Sequence, residues 1–108
     1  MARQLRKVNW TATSQRTLDE AVAYIAQDSL PAARRLLENA LHTAESLSTL
    51  SERGRIIPEM QQQNVRELFV GQYRLMYEVH ETKVEILAFI HGARDFAKWR
   101  KSQTEDAG

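Results

Sequence analysis

Hydrophobic and polar positions follow two different periods along this chain, and the change falls near its middle. Over residues 11–27, Leu18, Ala21, Val22 and Ile25 recur at i, i+3, i+4 and i+7, the stripe of an amphipathic helix. Thr11 and Thr13 are its N-cap candidates. Asp28-Ser29-Leu30-Pro31 then breaks the pattern, and proline is favoured in the first turn of the helix that follows. That second helix carries the clearest stripe: Ala33, Leu36, Leu37, Ala40, Leu41, Ala44 and Leu47. Arg34, Arg35, Glu38, Asn39, His42 and Glu45 lie opposite. Two such helices joined by about four residues predict an antiparallel hairpin.

Residues 51–64, with Gly54, Pro58 and three consecutive glutamines, read as a loop. After it the period becomes two. Residues 65–70, 73–80 and 83–91 are rich in β-branched and aromatic side chains and predict three strands. Gly71-Gln72 and Glu81-Thr82 are two-residue connections, so the strands form an antiparallel meander, with Gly71 suited to a II′ turn. Residues 5–10 add a weakly alternating strand at the start. The expected class is α+β in the order β-α-α-β-β-β, an antiparallel sheet packed on one face against an α-helical hairpin. Residues 1–108 read as a single domain, with a core over about 5–96 and a basic tail over 97–108.

Setting residue 70 opposite 73 and 80 opposite 83 fixes a register. One face then presents Leu68, Val70, Tyr73, Leu75, Tyr77, Val79, Val84, Ile86, Ala88 and Ile90, which must cover the helices. The other presents Val65, Glu67, Phe69, Arg74, Met76, Glu78, His80, Glu85, Leu87, Phe89 and His91. Phe69, Arg74 and Phe89 should share a cross-strand row, with His91 diagonal to Arg74. Such a mixed face is either an open binding surface or a platform for a covering segment. Residues 95–101, with Phe96 and Trp99, are the candidate cover.

Composition narrows the chemistry. Cysteine is absent, which removes disulfides, thiol nucleophiles and thiolate metal sites. No apolar run approaches the ~20 residues of a bilayer span, and the basic start leads into no signal-peptide core, so a cytoplasmic protein is expected. The 15 basic and 14 acidic residues give a net charge of +1. Its distribution is uneven: residues 1–7 and 94–101 each carry +3, residues 8–93 carry −3, and the last seven carry −2. A near-neutral total therefore hides two basic ends. His42, His80 and His91 have no metal-ligand spacing, no Gly-rich phosphate loop occurs, and no cofactor is implied.

The segment Arg66-Glu-Leu-Phe-Val-Gly-Gln-Tyr73-Arg74-Leu-Met-Tyr77-Glu-Val79 resembles the shared core of the RelE/ParE toxin superfamily. Val84-Glu-Ile-Leu-Ala-Phe-Ile-His91-Gly92-Ala93-Arg94-Asp95 is similar to the ending of the ParE-like branch, where His-Gly-x-Arg follows the last strand. Trp10-Thr-x-x-Ser and Tyr24-Ile25-Ala-x-Asp28 resemble that branch's first helix, and Gly54-Arg55 and Pro58-Glu59 fall in its inter-element loop. The resemblance covers about residues 5–96. It implies a type II toxin neutralised by a cognate, ParD-like antitoxin. In the ParE-like branch the target is DNA gyrase; in the RelE-like branch the toxin cuts messenger RNA on the ribosome.

Two mechanisms follow. Inhibition of gyrase requires a binding surface only, for which Arg66, Arg74, His91, Arg94, Lys98, Arg100 and Lys101 are the candidates. Metal-independent RNA cleavage requires an acid, a base and cations on the phosphate; Arg74, His91, Arg55 and Glu59, with Arg53 beside them, are the available set. Against it, no lysine lies between residues 8 and 82 and no tyrosine follows Tyr77. Arg74 also has a plain structural reading, as the partner of a neighbouring glutamate. Antitoxin contacts are expected at Tyr24, Leu36, Phe69 and Phe89. Neither a membrane nor a small-molecule substrate is implied, and an inactive interaction module is the third reading.

Overall fold

The computed structural model describes residues 5–92 and 99–101. Seven elements follow in order: β1 (Lys7–Trp10), α1 (Ala12–Ala26), α2 (Leu30–Ser46), β2 (Arg55–Ile56), β3 (Val65–Val70), β4 (Tyr73–Val79) and β5 (Lys83–His91). Residues 99–101 are helical. No helix among the described residues is long and apolar enough to cross a membrane.

Both helices start where a hydroxyl satisfies their free amides. Thr11 Oγ1 accepts from Ser14 N at 3.1 Å and donates to Ile86 O at 2.9 Å, so one side chain caps α1 and ties it to β5. Ser29 Oγ accepts from Ala32 N at 3.1 Å, with Pro31 in the first turn of α2. The sheet order is β1-β5-β4-β3-β2, with β1 parallel to β5 and every other pair antiparallel. The short β2 lies inside the segment expected as loop; it adds an edge strand that places Arg55 opposite Glu67. Gly71 has φ +61° and Gln72 is not in the left-handed region, as a II′ turn requires.

The β3–β4 register is the expected one throughout, Phe69 facing Arg74 and Val70 facing Tyr73. The β4–β5 register holds from Val79↔Val84 to Tyr77↔Ile86 and then shifts by one residue, because Leu87 bulges out and Met76 faces Ala88. Every later residue of β5 therefore changes sides. Phe89 and His91, expected beside Arg74, turn toward the helices; Ala88 and Ile90, expected under the helices, turn away. The row beside Arg74 is Phe69–Arg74–Ile90. The reason is visible in the chain. Leu87, Ala88, Phe89 and Ile90 are all apolar, so alternation gives no phase there. Packing decides it: Phe89 stacks on Tyr73 at 5.1 Å, and its amide donates to Thr17 Oγ1 of α1 at 3.0 Å.

The bulge leaves the sheet buried on both faces. The first core joins Leu18, Ala21, Ala40, Ala44 and Leu47 of the helical layer to Val70, Tyr73, Leu75, Tyr77, Val84, Ile86 and Phe89. The second gathers Val65, Met76, Ala88 and Ile90 under Ile57 and Trp99, with Met60 and Leu87 at its margin. Trp99 thus acts as part of a cover over the mixed face.

Candidate functional site

The charged centre of the second face is an ionic cluster. Glu67 on β3 is fully enclosed and accepts from Arg55 Nε at 2.6 Å and from Arg74 Nε at 2.5 Å. Arg74 is 3% exposed, and its Nη2 reaches Glu59 Oε1 at 3.3 Å. Burial works against a charged guanidinium, but the hydrogen bonds to Glu67 and then Glu59 outweigh it and raise the Arg74 pKa above its ordinary value. The Glu59 carboxyl is held below its ordinary value first by a hydrogen bond from its own backbone amide, against the opposing effect of burial, and then by Arg74. Two cations and two carboxylates sum to zero. The cluster closes the second core at its polar end, and Arg55 extends outward over Phe69, 5.6 Å from the ring centre.

A second hydrogen-bonded unit fixes the loop before β2. Tyr77 is buried in the first core, and its hydroxyl accepts from Gly54 N at 2.9 Å. Burial pushes its pKa up. Arg66 Nη1 donates to Gly54 O at 2.8 Å and to Glu52 O at 3.3 Å, with the Glu52 carboxylate 3.9 Å from its Nη2. Gly54 is required by space: a Cβ there would lie 2.6 Å from both Glu67 O and the Tyr77 hydroxyl.

On the helical side a cleft of about 200 Å³ opens between α1 and the end of β5. Tyr24, 53% exposed, and Glu20 form its outer wall; Phe89, 1% exposed, lies at its floor beside Tyr73 and His91. His91 meets the Tyr73 ring edge-on at 5.5 Å and its Nε2 lies 3.2 Å from Gln72 Oε1.

These positions sort the residues singled out from the sequence. Arg55, Glu59 and Arg74 come together, but as a mutually neutralised cluster. His91 lies across the sheet from them, because of the bulge. Phe69 is 56% exposed and Tyr24 is open on the opposite side, whereas Leu36 and Phe89 pack into the first core. Arg100 and Lys101 are exposed. Arg94, Lys98 and Phe96 lie outside the described residues. The glutamate partner expected of Arg74 is Glu67, which also anchors Arg55 and which the β3–β4 register sets diagonal to Arg74.

The model of the ParE toxin of type II toxin–antitoxin systems, parDE, matches residues 8–96. The chain belongs to the ParE toxin family. No curated protein matches it. Among solved structures it is similar to a chain described as the chromosomal ParDE toxin–antitoxin system from P. aeruginosa. That match has a TM-score of 0.66 and 16% identity, and covers 82% of this chain and 97% of that one. At this identity the likeness speaks for the fold, and the ParE-family match carries the assignment. This ParE-family chain is thus the toxin component of a type II system, and its Arg66–Val79 segment forms β3, its turn and β4. The Tyr73-Arg74 pair in β4 divides between the two faces: Tyr73 packs under α1, and Arg74 joins the ionic cluster.

Proposed function

We propose that this ParE-family toxin inhibits DNA gyrase and is neutralised by a cognate ParD-like antitoxin. The observation that carries the reading is the separation of Arg74 from His91. RNA cleavage without a metal needs a phosphate-binding cation and an acid or base around one phosphate. Arg74 is enclosed and bound to carboxylates, and His91 opens on the other side of the sheet. A toxin that works by occupying a surface has no such requirement. Its contacts to gyrase are assigned to exposed groups toward the C-terminus, Arg100 and Lys101, together with His91 and with Arg94 and Lys98. Arg66 and Arg74, held by loop carbonyls and by Glu67, serve the scaffold. The antitoxin's contacts are assigned to Tyr24 at the α1 cleft and to Phe69 beside Arg55, both of which offer aromatic surface to solvent.

The test runs the purified toxin with gyrase and relaxed plasmid, and in parallel with translating ribosomes and message. Inhibited supercoiling or trapped DNA cleavage with intact message is expected, relieved by co-purified antitoxin. Codon-phased cuts in the message that disappear in His91→Ala would overturn the reading, and inactivity in both assays would reduce the chain to a binding module.

A further inference from the structure

The turn end of the β4–β5 hairpin carries charged groups that neither core nor ionic cluster uses. The ladder sets Glu78 directly opposite Glu85, and like charges so placed repel. His80 lies against both: its Nε2 is 2.8 Å from Glu78 Oε1 and 3.4 Å from Glu85 Oε1. That nitrogen is closed to solvent and has no hydrogen-bond partner, so the short contact is not an aligned hydrogen bond. The three groups converge on one point. The backbone holds them there. His80 N donates to Lys83 O at 2.8 Å, closing the turn, and His80 O accepts from Arg6 Nε at 2.7 Å.

We propose that Glu78, His80 and Glu85 bind one divalent cation of borderline hardness, Zn²⁺ by preference, with water completing the coordination. Nitrogen and carboxylate ligands at ~2.0–2.2 Å from a common Zn²⁺ stand about 2.8–3.6 Å apart at angles between octahedral and tetrahedral. The two measured separations from His80 match that edge, and the three donor atoms all lie within 4.8 Å of one another. Two carboxylates and a neutral imidazole carry −2, which a divalent ion cancels. The imidazole selects against Mg²⁺ and Ca²⁺, which take oxygen ligands. Lys83 Nζ, 4.0 Å from Glu85 Oε2, is the competing cation. Bound metal bridges β4 to β5 across the ladder at the end remote from the α1 cleft.

The full chain without an affinity tag is titrated with Zn²⁺ by calorimetry and with Co²⁺ by visible absorption. One ion per chain is expected. Glu78→Gln, His80→Gln and Glu85→Gln should each weaken binding at least 10-fold with unchanged circular dichroism. Lys83→Gln should bind at least as tightly, and His42→Gln and His91→Gln should change nothing. The two glutamate-to-glutamine variants are near-isosteric at half-exposed positions, so they decide the matter even if the turn tolerates no change at His80. Absence of Zn²⁺ binding by the wild-type chain, binding equal in Glu78→Gln and Glu85→Gln, or binding lost in His91→Gln would each overturn the assignment.

Discussion

Replacing Glu67 by leucine tests how the second face of the sheet is closed. The wild-type carboxylate has no exposure and accepts two charged hydrogen bonds, at 2.6 Å from Arg55 and 2.5 Å from Arg74. Arg55 is largely solvated, so its share is at most about 1 kcal/mol. Arg74 is buried, and removing the partner of a buried charge costs about 3–5 kcal/mol because the remaining ion stays desolvated. Glu59 still faces Arg74 at 3.3 Å, which places the expectation at the lower end, about 3 kcal/mol. A domain of this size has roughly 5–15 kcal/mol in all. With a urea slope of about 2 kcal/mol per molar, the midpoint should fall by about 1.5 M. The double variant Glu67→Leu with Arg74→Met removes both charges from the interior and should regain most of the loss. A single-variant shift below about 0.5 M, or a double variant no more stable than the single, would refute the reasoning.

Four further outcomes are expected. Phe89→Ala should cost about 3–5 kcal/mol, whereas Phe69→Ala should stay within about 0.5 kcal/mol; thermal melts that reversed this order would place the bulge elsewhere. Gly54→Ala should cost about 1–3 kcal/mol by overpacking, and Tyr77→Phe should restore little because Glu67 O still lies 2.6 Å from the added carbon. Because the folded Glu59 has a lowered pKa, its contribution is present above the ordinary glutamate value and is lost as pH falls through the folded value. The wild-type urea midpoint should therefore drop below about pH 4.5 more steeply than that of Glu59→Gln. Finally, Trp99→Ala should cost about 3–5 kcal/mol in the same unfolding assay, as removal of a buried aromatic does.

Much of the architecture is local and was legible as such. The two helices follow from a 3.6-residue stripe and from Thr11 and Ser29, whose hydroxyls cap within three residues of themselves. The first hairpin follows from Gly71 and from clear alternation on both strands, and its register is unambiguous because a slip would expose a whole apolar face. The family resemblance rested on these same segments. The second hairpin was legible only to Ile86. Beyond it four apolar residues in a row suit either face, so no pattern marks the bulge at Leu87. The packing of Phe89 against Tyr73, and the hydroxyl of Thr17 waiting 72 residues upstream, choose the phase.

The candidate site divides in the same way. Sequence alone named Arg55, Glu59, Arg74 and His91 as chemically capable groups, and placed Arg74 and His91 on one face by extending a period of two. Tertiary structure moved His91 to the other face, buried Arg74 and revealed Glu67 as its partner. The grouping of Glu78 and His80 with Glu85 likewise needed the hairpin to close. Side-chain type and local spacing are properties of the chain. Which charges share a low-dielectric pocket, and which meet across a ladder, depends on long-range contacts, and a single inserted residue in β5 was enough to redistribute them.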